Sequence, residues 1–408
     1  MFPFIPYPPD DGGRIGFFNP IKYLSRAHQV AVVSLMSQKE SDALVGLKQF
    51  CPDVHVYQRP SGRDWYWLVR GTISDPPGAA AKYWHEQARE VIRDAIAAYA
   101  PNLVEFHHLN TAAYRDAAGH LPTVLREHNV EHKVWERYAE NAPSWVERTY
   151  AGWTAPRVRK YEARVASEFD RCIVVSEADR VHLKSVAPWA RIEVIPSGVD
   201  TEYFFPSPQM EEEPWSITFI GSFEWKPKQQ SLHTLLTQVF PRIKAKAPET
   251  KLYIVGKGVP EHLRRIAQGI SGVFICGQVR DVRPYIAKSS LMIQYLESGG
   301  GIALKVLEAM AMRKAVLSNT LGCEGISVQH GRDIFLAESP EEFAASAATL
   351  LRDDGQRRRI AEEGHRRVFK KYSWHVIADC FQDCYRCVLE ERANKGRGRG
   401  KARMQCAD

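Results

Sequence analysis

Three glycines, Gly299, Gly300 and Gly301, follow the apolar segment LMIQYLE (291–297) and open an amphipathic run that carries Lys305 and Glu308. Bare backbone N–H groups at the start of a helix cradle phosphate. Lys305 and Glu308 are three residues apart and share one helical face. A cation near a diphosphate and a carboxylate within reach of vicinal hydroxyls suit a nucleotide-sugar. A tight turn with a solvated Lys–Glu pair accounts for the same residues, so the segment alone leaves both open. A second pair of glycines, Gly12 and Gly13 in DDGGR (10–14), lets backbone approach a phosphate ahead of a helix. The third constellation is REHNVEH (126–132), in which His128 closes a strand. His128, Glu131 and His132 also match the H-x-x-E-H pattern of zinc peptidases, which needs all three on one helix. A strand that ends at His128, with Pro122 just upstream, argues against that shared face.

What is missing narrows the chemistry. No Asp-x-Asp occurs, so the usual acidic clamp for a metal-bound nucleotide-sugar is lacking, and no metal is expected. No G-x-x-x-x-G-K-[ST] occurs, which excludes a P-loop ATPase, and no compact G-x-G-x-x-G follows a strand, which weakens a dehydrogenase reading.

These residues need elements to hold them, and the hydropathy pattern supplies an alternation of short apolar strands and longer helices, the pattern of βαβ units and parallel sheets. Strands are predicted at 29–36, 53–59, 103–109, 122–128, 171–176 and 191–196, then at 216–222, 251–258, 273–279, 291–297 and 315–319. Helices are predicted near 78–100 and 155–169, then near 229–246, 260–269, 280–289 and 302–313, with three more at about 340–351, 355–371 and 374–392. Residues 198–214 hold three prolines and three consecutive acids without a period, and read as a linker. Each half is then a doubly wound sheet, and two such sheets facing each other bind ligands at the carboxyl ends of their strands. The expected boundaries are 1–205 and 206–372, with a helix at 373–392 and a basic, disordered tail at 393–408. The opening is unusual: Phe2, Phe4 and Ile5, broken by Pro3, are all that precede the Gly12–Gly13 loop. A short or missing central strand removes hydrogen bonds and apolar cover from its neighbours, so a functional start upstream of Met1 is expected.

The 408 residues are 44% hydrophobic and 25% charged, an ordinary globular composition. No apolar run approaches the ~18 residues of a membrane span, and no secretory signal is visible, so a cytoplasmic protein is expected. The net charge of +7 is mostly terminal: Arg392–Asp408 hold six basic residues against one acid. The near-neutral body gives no reason to expect nucleic acid. Cys380, Cys384 and Cys387 form one helical stripe and read as core packing rather than as a redox pair.

Taken in order, HNVE (128–131), FDRCIVVSEADR (169–180), IPSGVDTEYF (195–204), FIGSFEW (219–225), VGKG (255–258), GQVRDVRPYIA (277–287), GIALKVLEAMAM (301–312) and YSW (372–374), with the proline–glycine turn that ends at Arg14, resemble the GT-B retaining glycosyltransferases of family four. The likeness is greatest to the bacterial branch found with exopolysaccharide and exosortase genes, and it covers nearly the whole chain. It implies an α/β fold of two facing Rossmann-like domains, an N-terminal acceptor side and a C-terminal donor side, with the last helix crossing back to the first domain. It also implies a metal-independent hexosyltransferase without a cofactor, its partners a nucleotide-sugar donor and a glycan or lipid-linked acceptor, with peripheral contact at the inner membrane surface.

The resemblance assigns roles by position. Glu308 matches the second glutamate of the family's Glu-x7-Glu motif, which holds the donor ribose. His128 matches the cleft histidine near the donor sugar. Lys305, with Lys226 or Lys228, would meet the diphosphate. Gly12 and Gly13 would approach it from the first domain. Gly221, Gly277, Val279, Gly300, Gly301 and Ile302 fall in the donor-binding segments. The first glutamate of the motif falls on Gly300, and WKPKQQ replaces the family's Lys-Gly, leaving Lys226 and Lys228 as alternatives. With no evident nucleophile, a front-face route is implied. Aromatic and cationic residues at 63–70 and 135–161 suit sugar stacking, a lipid headgroup surface or plain helix packing. Two other functions fit some of these features: a non-catalytic nucleotide-sugar-binding protein, and a zinc hydrolase using His128 and His132.

Overall fold

The computed structural model describes the chain except residues 10–11, 38–39, 61–70, 73, 143, 207–209, 299–303 and 406–408; at 79, 141 and 395–405 it describes backbone alone. The chain divides into two compact units, Met1–Pro196 with the chain from Ile377 onward, and Ser197–Val376.

In the first unit, α1 (Gly12–Leu24), β1 (Val32–Met36), α2 (Ser41–Lys48) and β2 (Val54–Gln58) lead to α3 (Glu86–Tyr99) and β3 (Val104–His107). Then come β4 (Thr123–Arg126), α4 (Glu131–Asn141), α5 (Trp145–Glu168), β5 (Arg171–Val174), α6 (Glu177–Val186) and β6 (Ile192–Val194). The strands are β-branched and apolar, and α3 buries Ala88, Ile92 and Ala95 at helical spacing. Parallel strands run in the order β3-β4-β5-β6, with β1-β2 a separate pair. Met1 and Phe2 fill the place between the two. Phe2 bridges Ser34 in parallel; its N–H donates to Val33, and Leu35 N–H donates back to Phe2. On the other side His107 N–H donates to Met1. The expected central strand is therefore present as a single bridging residue.

The second unit starts with β7 (Glu213–Ile220), α7 (Lys226–Thr234), a π turn at Leu235–Val239 and α8 (Phe240–Lys246). It continues through β8 (Lys251–Val255), α9 (Glu261–Gln268), β9 (Val273–Gly277), α10 (Arg283–Lys288), β10 (Ser289–Gln294) and α11 (Leu304–Ala311). After β11 (Val316–Ser318) and β12 (Phe335–Leu336) come α12 (Pro340–Arg352) and α13 (Asp354–Lys371). The six parallel strands are ordered β12-β11-β10-β7-β8-β9, with Thr218 opposite Met292 on one side and Tyr253 on the other. The chain leaves β7 toward β8 and β9 and then returns to its other flank with β10. The switch point, where doubly wound sheets bind ligands, is thus between the carboxyl ends of β7 and β10.

The last helix, α14, runs Trp374–Gln405, and its backbone continues through residues that the sequence presents as a disordered tail. From Ile377 it belongs to the first unit. Phe381 lies under the Arg126 guanidinium at 4.5 Å, Tyr385 hydroxyl donates to Glu105, and Arg392 pairs with Asp170 at 2.6 Å. Two helices depart from expectation. The segment expected as one helix over 78–100 opens as a 3-10 turn at Gly78–Tyr83, because Trp84 and His85 take extended backbone before α3 begins. The helix expected from 155 starts at Trp145, since Pro156 sits inside α5 on its exposed side. Among the described residues no helix is long and apolar enough to cross a membrane.

Candidate functional site

At the switch point of the second unit, β7 ends in Gly221 and the chain turns into α7. The Lys228 side chain folds back over that turn: a Cβ on Gly221 would lie 2.4 Å from Lys228 Cε. One layer further, a Cβ on Gly256 (φ +140°) would lie 1.7 Å from the Gly221 carbonyl oxygen. Glycine at both positions lets Lys228 lie flat on the strand ends. Lys228 is buried; its Nζ donates to Gln294 Oε1 at the end of β10 (2.7 Å) and stands 4.2 Å from the Phe219 ring centroid. Burial, with the nearby Lys305 ammonium second, lowers its pKa to about 7.

Lys305 and Glu308 come from the first turns of α11. Lys305 Nζ donates to both Glu308 carboxylate oxygens, at 2.8 and 2.9 Å. Glu308 is 2% exposed, and burial raises its pKa against the opposing pull of Lys305. The switch point thus gathers two lysines and one carboxylate on a floor of glycine.

The chain that leads up to residue 299 is tied down at Leu296, Glu297 and Ser298. Asn319 Oδ1 accepts from Leu296 N–H (3.1 Å) and Gly322 N–H (3.0 Å), and its Nδ2 donates to Leu296 O (2.6 Å). Thr234 donates to Glu297 (2.8 Å) and Ser298 to Gln230 (2.9 Å). Alongside is a depression of about 580 Å³ lined by Lys226, Gln230, His233, His262 and Glu297 among others. Lys226 is exposed there, apart from the Lys228 turn. Gly277 has φ +69° and accepts from Gly256 N–H (2.8 Å), while Val279 is half-buried in the following loop. Gly300, Gly301 and Ile302 lie outside the described residues, as do Asp10, Asp11 and the aromatic run 63–70.

In the first unit, Gly12 and Gly13 are exposed at the start of α1. One turn on, Phe17 packs edge-on against the His128 ring at 4.4 Å, so α1 and the end of β4 share this contact. The His128 Nε2 is buried with no hydrogen-bond partner among the described residues. Burial, then the charges of Arg126 and His108, hold its pKa well below the usual imidazole value, so the ring is neutral. Arg126, wholly buried, donates to Gly16 O in α1 at 3.2 Å.

The H-x-x-E-H site does not form. Helix α4 begins at Glu131, after His128, and His132 Nδ1 is turned onto the buried Glu162 of α5. Glu162 also accepts from Glu131 N–H at 2.7 Å, capping α4 from a neighbouring helix. Among the described residues no group of three or more His, Cys, Asp or Glu side chains could hold a metal ion. Gln294 and Arg126 were not singled out by the sequence; the available signal was a polar residue inside an apolar strand, in LMIQYLE and PTVLREH.

Comparison with known proteins agrees with the fold. HepE of Anabaena, solved in complex with UDP, is similar with a TM-score of 0.67 and 15% identity, over 95% of this chain and 99% of that one. The fold is GT-B. Two family profiles match, Glycosyltransferase Family 4 over residues 12–203 and Glycosyl transferases group 1 over residues 214–353. The chain belongs to this family of glycosyltransferases and is an enzyme, which sets aside the non-catalytic alternative. An uncharacterized 44.6 kDa protein in the cps region of Klebsiella pneumoniae is 21% identical over 393 residues, 93% of this chain and 97% of its own length. A phosphatidyl-myo-inositol mannosyltransferase of Mycolicibacterium smegmatis is 26% identical over 202 residues, 48% of this chain and 51% of that protein.

Proposed function

We propose that the enzyme moves a sugar, with retention of configuration, from a nucleotide-sugar to a glycan or lipid-linked acceptor in cell-surface polysaccharide biosynthesis. The observation that carries the donor side is the gathering of Lys228, Lys305 and Glu308 at the β7/β10 switch point. The buried Lys228 donates to the neutral amide of Gln294 and lies within the influence of the Lys305 charge; a diphosphate would bring both lysines an anion beyond the Glu308 carboxylate. Glu308, fixed by Lys305, keeps lone pairs for the vicinal hydroxyls of a ribose. HepE was solved with UDP, a relative acts as a phosphatidyl-myo-inositol mannosyltransferase and another lies in a cps region, which supports donor, acceptor class and pathway in turn.

In this reading Lys228 and Lys305 stabilise the negative charge that grows on the leaving diphosphate. The acceptor oxygen bonds to the anomeric carbon as the bond to the diphosphate breaks, on the same face, and the acceptor proton passes to a leaving phosphate oxygen. His128, neutral and with Nε2 unpartnered, serves a hydroxyl of the transferred sugar. No metal is required, and nucleotide-sugar dependence implies a cytoplasmic reaction.

Glu308→Gln tests the assignment. It should weaken nucleoside diphosphate binding by ~1.5–3 kcal/mol, the worth of charged hydrogen bonds, while EDTA leaves wild-type turnover intact. Unchanged affinity would remove Glu308 from the ribose. Turnover lost to EDTA and restored by Mn²⁺ would overturn metal independence.

A further inference from the structure

The hairpin of α4 and α5 in the first unit carries an apolar face turned to water. Trp145, Val146 and Trp153 on α5 are 78%, 56% and 62% exposed. Trp145 and Trp153 lie eight residues apart, about 12 Å along the axis and on one side of the helix. The opposite face, through Ala151, Thr154, Ala155 and Val158, is buried in the unit, so α5 is held with this stripe outward. Between Trp145 and Lys160 the other exposed residues are Arg148, Thr149, Gly152, Pro156, Arg159 and Lys160. Three cations thus flank the stripe, and no acid is exposed on it. Trp153 Nε1 already donates to Thr72 O at 3.1 Å, so its ring can enter an apolar layer without stranding a polar group.

We propose that this face of α5 docks the enzyme on an anionic lipid bilayer. Trp145, Val146 and Trp153 enter the boundary between headgroups and acyl chains, and Arg148, Arg159 and Lys160 meet lipid phosphates. The pattern is that of an interfacial helix: aromatics on the membrane side, basic residues at headgroup level, and no fully exposed carboxylate on α5 between Trp145 and Lys160, where Glu147 is half-buried. A second copy of the chain is a poorer occupant, because a two-fold contact through this face sets the same cations against one another. The inference extends the lipid-linked acceptor reading, yet it concerns the first unit alone. Its failure leaves the donor site in the second unit standing, and its test needs no nucleotide.

The experiment is co-sedimentation of the full chain with vesicles of phosphatidylcholine alone and of phosphatidylcholine mixed equally with phosphatidylglycerol. Binding to the mixed vesicles alone, weakened by salt and accompanied by a blue shift of tryptophan emission, is the expected result. The pair Trp145→Ser with Trp153→Ser, and separately the pair Arg148→Glu with Arg159→Glu, should each lower partitioning roughly tenfold or more. Trp189→Ser, at a residue 87% exposed on another segment, should leave it unchanged, and all variants should keep the wild-type melting temperature. Absence of binding to the mixed vesicles, or equal binding by both paired variants, overturns the proposal. So does a concentration-dependent dimer that disappears with the tryptophans, which would make the stripe an interface between copies.

Discussion

Both units reverse their strand order around the strand that opens them, but the two openings are built differently. In the second unit it is β7, eight residues long and hydrogen-bonded along both edges. In the first it is Phe2, one bridging residue with Met1 beside it. The contents of the two switch points differ in the same sense. The second holds Lys228, Lys305 and Glu308, charged groups with named partners. The first holds a neutral His128 and, beneath it, Arg126, whose Nε and Nη2 are buried without partners among the described residues. A long strand supplies a rigid floor on which ionised side chains can be set for a diphosphate. A single residue does not, and there the buried charge of Arg126 acts as structure, joining β4 to the Gly16 carbonyl of α1 and to Phe381 of α14.

If that division is right, damage in the first unit should spare donor affinity, and damage in the second should register in it. The largest effect is expected for Arg126→Met. Removing a wholly buried guanidinium takes from the buried Glu105 the main charge that offsets its burial, leaving it the Tyr385 hydroxyl. A buried carboxylate left without its main opposing charge costs about 3–5 kcal/mol, to be read from denaturant unfolding, with nucleoside diphosphate affinity unchanged in the folded fraction. A loss under about 1 kcal/mol would show that Arg126 holds nothing together.

Lys228→Met reverses the pattern. Binding of UDP, GDP, ADP or dTDP, whichever binds wild type best, should fall by ~2–3 kcal/mol, with stability equal or higher because a buried ammonium is replaced by an apolar chain of similar length. Intact affinity would return the diphosphate to the exposed Lys226. The smaller effect belongs to His128→Ala, for which turnover should fall by about 1.5 kcal/mol in barrier height while diphosphate affinity holds. A matching loss of affinity would erase the distinction between the two sites.

Much of this was legible beforehand, and the reasons differ by element. The strands read well because each is a short β-branched apolar run closed by Gly, Pro or a charge, as in SITFIGS and KLYIVGKG. β12 did not, because Phe335 and Leu336 are too few to show a period. The early start of α5 was hidden by Pro156, which usually marks a helix beginning. At the site, Lys305 and Glu308 announced themselves by spacing after a glycine run. Lys226 and Lys228 stayed equivalent because only tertiary packing, the fit of Lys228 on Gly221 beneath Gln294, separates them. Arg126 is less legible than nearby His128, since a buried cation inside a strand has no local signature.

The most direct measurement is the affinity of that best-binding nucleoside diphosphate from pH 6 to pH 9, for wild type and Lys228→Met. The Lys228 pKa is lowered to about 7 by burial and by Lys305, with Gln294, Phe219 and the Lys305–Glu308 pair as the groups around it. A bound diphosphate favours the ammonium and raises that pKa, so binding takes up a proton once the free lysine has lost it. Wild-type affinity should therefore hold below about pH 7 and weaken above it, by up to roughly tenfold per unit, while Lys228→Met binds weakly with a flatter profile. Equal affinity in the two proteins, or the same pH profile in both, would contradict the claim that the second unit holds the donor through Lys228.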